Sequence, residues 1–196
     1  MKPPEDSMLG VVLAGGDSRR LGRDKALLLV DGEPLWQRQV KVLRATGAHD
    51  VVLIRRPGQA APPGVVCWRD HVADTGPLGG LHAALAPQSA ALVAVLAVDM
   101  PGIDEAWFRW LRGFCRDGTG AMARHTDACE PLAAIYPACA IREIEARLAA
   151  RDHSLQRLAL ALAAAGCLKL IPLPAEKYSC VASLNTPENL ARWNVG

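Results

Sequence analysis

One polar segment of the chain has the residue types and spacing of an anion-binding loop. LAGGDSRRLGRDK, residues 13–25, joins the adjacent glycines Gly15 and Gly16 to Arg19, Gly22 and Lys25. Glycines let backbone N–H groups approach an anion closely, and the cations would balance phosphate charge. The glycine spacing fits neither the GxGxxG nor the GxxxxGK[ST] pattern. The segment therefore indicates a phosphate loop of another type, with a solvated basic turn as the alternative.

A second candidate segment runs from Asp70 to Gly80 and contains the run TGPLGG at residues 75–80. A carboxylate such as Asp70 accepts hydrogen bonds from the N–H donors of a base such as guanine. Gly76 and Gly80 again permit close approach of the backbone. The alternative is an ordinary loop that leads into a capped helix.

A third candidate is Asp99, at the start of Asp99-Met100-Pro101 and directly after the most apolar run of the chain. A carboxylate at the end of a buried strand is costly unless it is paired or binds a metal. Mg²⁺ commonly takes one or two carboxylates together with substrate phosphates. Asp99 is therefore a candidate Mg²⁺ ligand, with a turn or cap role as the alternative. Asn185, near the end of the chain, is a further polar residue that could reach into a site.

The hydrophobic pattern predicts the elements that would position these segments. Short apolar β-branched runs at 8–13, 51–54, 65–68 and 90–98 alternate with helical patterns over the first 110 residues. This alternation predicts βαβ units and a mostly parallel sheet covered by helices on both faces, with 90–98 at its centre. In such sheets ligands bind beyond the carboxyl ends of the strands, which is where all three segments lie. Two further strands, two further helices, a strand at 168–173 and a terminal helix from Thr186 are expected in the second half.

The composition of the chain excludes several classes of protein. With 51% hydrophobic and 21% charged residues, the chain has the composition of a folded globular protein. A net charge of +2 does not predict nucleic-acid binding, and the longest apolar run is too short to span a bilayer. No secretory signal pattern is visible at the N-terminus, so a cytoplasmic protein is expected. We expect one domain over residues 1–196, since no linker divides the chain.

The three segments together resemble the signature of the molybdenum cofactor guanylyltransferases, the molybdopterin-guanine dinucleotide biosynthesis protein A type of nucleotidyltransferase. The blocks that carry the resemblance are LAGGDSRRLGRDKALL, RDHVADTGPLGGL, AVDMPGI and SLNTPENLARW, in that order. The four blocks are spread over nearly the whole length of the chain. Leu21 stands where the family has methionine, a change that conserves volume.

The resemblance implies a Rossmann-like three-layer α/β sandwich of the nucleotide-diphospho-sugar transferase type. It also implies a magnesium-dependent transfer of GMP from GTP to the phosphate of molybdopterin, the organic part of the molybdenum cofactor, with release of pyrophosphate. Acceptor molybdoenzymes or their chaperones would receive the product. Implied nucleotide contacts are Leu13, Ala14, Gly15, Gly16, Lys25, Asp70 and Asp99, with Asp99 on Mg²⁺ and Lys25, Asp99 and Arg19 catalytic. Gly22, Gly76, Gly80 and Asn185 would line the pterin side.

Two positions depart from the family pattern. Ile54 stands where the family often has a nucleotide-binding asparagine, and Arg55 is the neighbouring residue that could replace that contact. Ser183 stands at the first asparagine of the family's NxNTPE block. The departure at Ser183 bears more on the pterin side than on the nucleotide side.

Two other functions compete with this hypothesis. A sibling nucleotidyltransferase could make the cytidine form of the same cofactor, or act on a sugar or another small phosphate. LAGG rather than LAAG favours the guanylyl enzyme, because a second glycine leaves more room beside a purine. A non-catalytic protein that binds a nucleotide or the cofactor would keep the glycines but would not need Lys25 together with Asp99.

Overall fold

The computed structural model describes residues 4, 7–16, 24–72, 74–116, 118–126, 128–185 and 193. Arg19, Gly22 and the terminal helix expected from Thr186 lie outside these residues. The five described α-helices are α1 (Leu35–Ala45), α2 (Pro77–Leu85), α3 (Glu105–Arg112), α4 (Ala140–Ala149) and α5 (Leu155–Ala164). Two 3-10 helices cover Lys25–Leu27 and Ala175–Val181. None of the described helices is long and apolar enough to cross a membrane.

Ten described strands complete the fold. They are β1 (Met8–Leu13), β2 (Leu29–Val30), β3 (Glu33–Pro34), β4 (Asp50–Arg55), β5 (Val66–Arg69), β6 (Leu92–Ala97), β7 (Gly120–His125), β8 (Ala128–Cys129), β9 (Ala133–Pro137) and β10 (Leu168–Pro172). The main sheet has the order β5-β4-β1-β6-β9-β7-β10, and β8 pairs with β7. β6 lies in the middle of this order, as its continuous apolar sequence predicted.

The sheet is mixed, with its parallel half on the side of the phosphate loop. β1 pairs in parallel with both β4 and β6, and β4 pairs in parallel with β5. β9 is the exception at the centre, because it runs antiparallel to β6 and to β7. The loop that enters β9 therefore lies at the same edge as the carboxyl ends of β1, β4, β5 and β6.

Helices cover both faces of the sheet, which gives the predicted three layers. One core contains side chains of α1 and α3, including Leu35, Leu43 and Trp107. The other contains side chains of α2, α4 and α5, including Leu81 and Leu158. β1 and β6 are buried along almost their whole length because both of their faces are covered.

Local signals set where the helices next to the site begin. Gly76 has φ +58° and ψ −142°, a conformation open in practice only to glycine, and Pro77 follows at the first helical position of α2. Asp104 caps α3, since its carboxylate accepts a hydrogen bond from the N–H of Trp107 at 2.9 Å. Both helices thus start at the edge of the sheet where the parallel strands end.

Candidate active site

A cavity of about 280 Å³ opens at the carboxyl edge of the parallel strands. Nine of the predicted site residues line it: Leu13, Ala14, Gly15, Gly16, Lys25, Asp70, Gly76, Gly80 and Asp99. They come from four separate stretches of sequence, and the parallel order of β5, β4, β1 and β6 brings those stretches together. The structure thus assembles these nine residues around one space, whereas Asn185, the other described residue of the predicted site, does not line it.

The first wall of the cavity is the backbone directly after β1. The N–H of Ala14 donates to the carbonyl of Ile54 at 2.9 Å, which ties this loop to the end of β4. A Cβ atom on Gly15 would lie 3.3 Å from Cγ of Arg56, so the loop passes close over that residue. Arg19 and Gly22 lie beyond Gly16, outside the described residues.

Lys25 and Asp99 both line the cavity and are in direct contact with each other. The ammonium of Lys25 donates to Oδ2 of Asp99 at 2.9 Å, and both side chains are less than one-fifth exposed. Lys25 also donates to Oδ1 of Asn185, which is 160 residues away in the sequence. Two hard oxygen atoms, one carboxylate and one amide, therefore converge on a single cationic position.

Asn185 does not line the cavity; it reaches the site through Lys25. Its Nδ2 donates to Oγ of Ser183 at 2.6 Å, which turns its Oδ1 toward the lysine. The N–H of Leu184 donates to the carbonyl of Asp99 at 2.8 Å, so the whole segment is tied to the Asp99 turn. Ser183, the departure from the family's first asparagine, thus orients the second one.

A buried glutamine that the sequence analysis missed holds the Asp99 turn from behind. Gln39 in α1 is fully buried, and its Nε2 donates to the carbonyl of Met100 at 2.9 Å and to that of Val98 at 3.4 Å. These carbonyls flank Asp99 on both sides. The sequence did carry a signal for this role, since Gln39 lies on the apolar stripe of α1. An amide buried on such a stripe must find hydrogen-bond partners.

Asp70 lies at the other end of the cavity, against the first turn of α2. Its Oδ1 accepts from the N–H of Val72 at 3.0 Å. A Cβ atom on Gly79 would lie only 2.7 and 2.8 Å from the two carboxylate oxygens of Asp70. Gly79 is therefore required for the Asp70 carboxylate to occupy this position.

Arg56 is a second residue that the sequence analysis missed. It lines the main cavity and also a smaller one of about 220 Å³ beside it, and Asp70 lines both as well. A cation and a carboxylate thus border the same end of the site. A guanine ring presents N–H donors on one edge and the acceptors O6 and N7 on another, which this pair of charges would complement.

At the family's asparagine position stands Ile54, and its neighbour Arg55 does not act as expected. Ile54 lines the cavity as an apolar wall. Arg55 does not line it; its side chain is buried and pairs with Asp24. The expectation that Arg55 replaces the nucleotide contact is therefore wrong, because alternation along β4 directs it to the face opposite Ile54.

The loop that enters β9 also borders the cavity. Leu132 lines the cavity, and its carbonyl accepts from the N–H of Ala97 at 2.7 Å. Two residues earlier, burial raises the pKa of the Glu130 carboxyl from 4.5 to about 7. At a pH below this value the Glu130 carboxyl is mostly protonated, and it can then donate a hydrogen bond as well as accept one.

The donor set at the Lys25 position fits a hard divalent cation. Among the described residues, no three histidine, cysteine or acidic side chains form a metal cluster of their own. The convergent oxygens of Asp99 and Asn185 would supply two ligands, and substrate phosphates the remainder, which is the pattern of Mg²⁺ sites.

Comparison with known proteins identifies the family. Residues 10–165 match the MobA-like NTP transferase domain. A protein of Opitutus terrae, named probable molybdenum cofactor guanylyltransferase, is 47% identical over 98% of this chain and 97% of its own length. This similarity confirms the family expected from the sequence motifs.

Solved structures share the fold. Molybdopterin-guanine dinucleotide biosynthesis protein A from Archaeoglobus fulgidus superposes with a TM-score of 0.75 at 22% identity, over 94% of this chain and 96% of that one. A Mycobacterium tuberculosis protein in complex with manganese gives 0.65 at 20% identity, over 95% and 97%. Together, the family model and the relative from Opitutus terrae show that the chain belongs to the molybdenum cofactor guanylyltransferases, a family of nucleotidyltransferases.

Proposed function

We propose that this protein transfers GMP from GTP to the terminal phosphate of molybdopterin and releases pyrophosphate. The observation that carries the proposal is the cavity in which Lys25 and Asp99 face the glycine loop, with Asp70 and Arg56 at its other end. A phosphate oxygen of the acceptor attacks the α-phosphorus of GTP. The new P–O bond forms as the bond to the bridging oxygen of the β-phosphate breaks, and that oxygen leaves with pyrophosphate.

The residues of the site have distinct roles in this reaction. The backbone of Gly15 and Gly16 borders the nucleotide, and Asp70 accepts hydrogen bonds from the base. Lys25 is within reach of Asp99, so its ammonium can pass from the carboxylate to a bound phosphate and balance the charge of the leaving pyrophosphate. No covalent intermediate with the enzyme is needed, because the attacking group is already an anion.

A divalent metal, Mg²⁺ by preference, would be held by Asp99 with the amide oxygen of Asn185 as a second ligand. When bound, it would reduce the repulsion between the two anionic substrates. The manganese in the Mycobacterium tuberculosis protein of the same fold supports divalent metal use. Arg19 and Gly22 are proposed as a catalytic cation and a pterin-side residue from the sequence, and Gly76 and Gly80 as pterin-side contacts.

We further propose that residues 1–196 act as one catalytic domain, since groups from β1 to Asn185 border the same site. The acceptor molybdoenzymes or chaperones and the cytoplasmic location remain predictions from the sequence.

Nucleotide preference is tested by thermal unfolding with GTP, CTP, ATP or UTP, each with and without Mg²⁺. A ligand at about 100 times its dissociation constant stabilises the folded state by about 2.7 kcal/mol. We expect the largest rise in melting temperature with GTP and Mg²⁺. A rise chiefly with CTP would assign the cytidylyl reaction instead, and no rise with any nucleotide would contradict the nucleotide site.

Turnover is tested by pyrophosphate release from GTP in the presence of molybdopterin. Asp99→Ala should abolish release, and Lys25→Ala should lower kcat by at least ~100-fold if Lys25 stabilises the transition state. Asp104→Ala and Lys41→Ala are matched controls, because Asp104 caps α3 and Lys41 pairs with Glu33 on the surface. Both controls should keep near-normal turnover, and a normal rate for Asp99→Ala would refute the metal assignment.

A further inference from the structure

A buried ion pair lies behind the lysine of the site. Arg55, the last residue of β4, is 1% exposed. Its Nη2 is 2.5 Å from Oδ2 of Asp24, and its Nη1 is 3.5 Å from Oδ1 of the same carboxylate. The contact is therefore a two-pronged arginine–carboxylate pair, the geometry that fixes the orientation of both partners.

Asp24 connects this pair to the short helix that carries Lys25. Its Oδ1 also accepts from the N–H of Ala26 at 3.0 Å, which caps the 3-10 helix Lys25–Leu27. Lys25 is the first residue of that helix, and its ammonium reaches Asp99. The Asp24 carboxylate thus receives donors from the sheet and from the helix at once, so a shift of Asp24 would shift Lys25.

The end of β4 supports the described residues on both sides of the basic loop. Before the loop, Ala14 donates to the carbonyl of Ile54, and Gly15 passes close over Arg56. After it, Asp24 is held by Arg55. Three consecutive residues, Ile54 to Arg56, therefore contact the described residues on both sides of segment 17–23.

Stability alone gives little reason for an arginine at this position. A buried ion pair is often no more stabilising than well-packed apolar side chains of similar volume. Nε of Arg55 is buried without a hydrogen-bond partner, which adds a cost. The contribution of this ion pair is therefore to orientation: Arg55 fixes the position of the Asp24 carboxylate, which apolar side chains at these two positions would not do.

We propose that Arg55 is a positioning residue for the transfer reaction: through Asp24 it holds the short helix that presents Lys25 to the cavity. The inference rests on the proposed function, in which Lys25 contacts the phosphates. It concerns a residue that neither touches the cavity nor belongs to the sequence signature.

A double-mutant cycle between Arg55 and Lys25 tests this role. Arg55→Met removes the charge and keeps most of the volume. Because a misplacement of about 1 Å can cost about 100-fold in rate, we expect kcat to fall roughly 10- to 100-fold while KM for GTP changes less. In the Lys25→Ala background, the same substitution should lower kcat by less than about threefold, since its effect passes through Lys25.

A residue with a purely structural role would lower kcat by the same factor in both backgrounds, and that additive result would overturn the proposal. Arg147→Met is the matched control. Arg147 in α4 is 14% exposed and pairs with Asp152 at 2.5 Å, and neither residue lines the cavity. We expect it to lower the melting temperature but to leave kcat unchanged.

If Arg55→Met does not show a cooperative melting transition, the cycle uses Arg55→Lys and Asp24→Asn. Arg55→Lys keeps the charge but loses the two-pronged contact. Asp24→Asn keeps an oxygen to cap Ala26 but loses the charge. The same coupling with Lys25→Ala is expected for both, and additivity in both would overturn the proposal.

The affinity for GTP in the presence of Mg²⁺ is also measured by calorimetry for each protein of the cycle. If the wild-type protein releases no pyrophosphate with molybdopterin, the proposed function fails, and coupling in GTP affinity then decides the inference by itself. Non-additive affinities would support the positioning role, and additive ones would overturn it.

Discussion

Gly79→Ala tests whether the position of the Asp70 carboxylate determines which base is accepted. The added Cβ would lie 2.3 Å from Oγ1 of Thr75 and 2.7 Å from Oδ1 of Asp70, where ordinary contact begins at 3.4 Å. The carboxylate must therefore retreat from 2.7 Å to at least 3.4 Å, a shift of about 0.7 Å. Asp70 itself is unchanged in this variant, so its charge stays in the site.

The cost to stability is the balance of opposing effects. Alanine in place of glycine favours a helix by about 1 kcal/mol. Against this, the shift strains the hydrogen bonds from the Val72 N–H to Asp70 and from Thr75 to the Val72 carbonyl, each worth about 1 kcal/mol. Thr75 is also buried and its Oγ1 would be only 2.3 Å from the new Cβ, so overpacking adds about 1–3 kcal/mol and we expect a melting temperature several degrees below that of the wild type.

The same shift of the Asp70 carboxylate should weaken recognition of the guanine base. Hydrogen bonds to a charged group contribute about 1.5–3 kcal/mol, and 1.4 kcal/mol is tenfold, so the preference for GTP over ATP should fall roughly 10- to 100-fold. The assay is kcat/KM for each nucleotide with molybdopterin as acceptor. Gly113→Ala, which adds a methyl group to the end of α3 far from the cavity, should leave the ratio unchanged. An unchanged ratio in folded Gly79→Ala would refute the role of Asp70.

Three other substitutions give further tests. Gln39→Leu should lower kcat, since the carbonyls on both sides of Asp99 lose a donor. Its melting temperature should fall only modestly, because the carbonyls lose a donor but Oε1 of Gln39, which is already buried without a partner, is removed too. Arg56→Met should weaken GTP binding roughly tenfold, as measured by calorimetry, and equal affinity would remove Arg56 from the site. Glu130→Gln should change the pH dependence of stability. Burial raises the pKa of Glu130 in the folded protein from 4.5 to about 7, so its contribution to stability is complete below the lower value and is lost as the pH rises through the higher one. Melting curves from about pH 4 to about pH 8 should therefore show a smaller decline for Glu130→Gln, and parallel curves would contradict the shift.

Local sequence predicted the elements that frame the site. Continuous apolar runs gave β1 and β6, and Gly76-Pro77 marked the start of α2. These signals are reliable here because each depends on neighbouring residues only: burial on both faces requires an apolar run, and a helix start requires a particular backbone conformation. The hairpin of β2 and β3 was missed, although Asp31-Gly32, with φ of 52° and 78°, is a recognisable turn signal.

The sequence by itself determined which residues could do chemistry and at which edge of the sheet they lie, because parallel strands place the loops at their carboxyl ends on one side. Only the tertiary structure decided their partners. Asn185 meets Lys25 across 160 residues, Arg55 turns from the cavity to Asp24, and Gln39 reaches the carbonyls beside Asp99. Each of these contacts joins groups that the assembled sheet brings together, and no local pattern encodes which side chain a buried donor will find. The antiparallel placement of β9 has the same origin, since strand order depends on how the two halves of the chain pack.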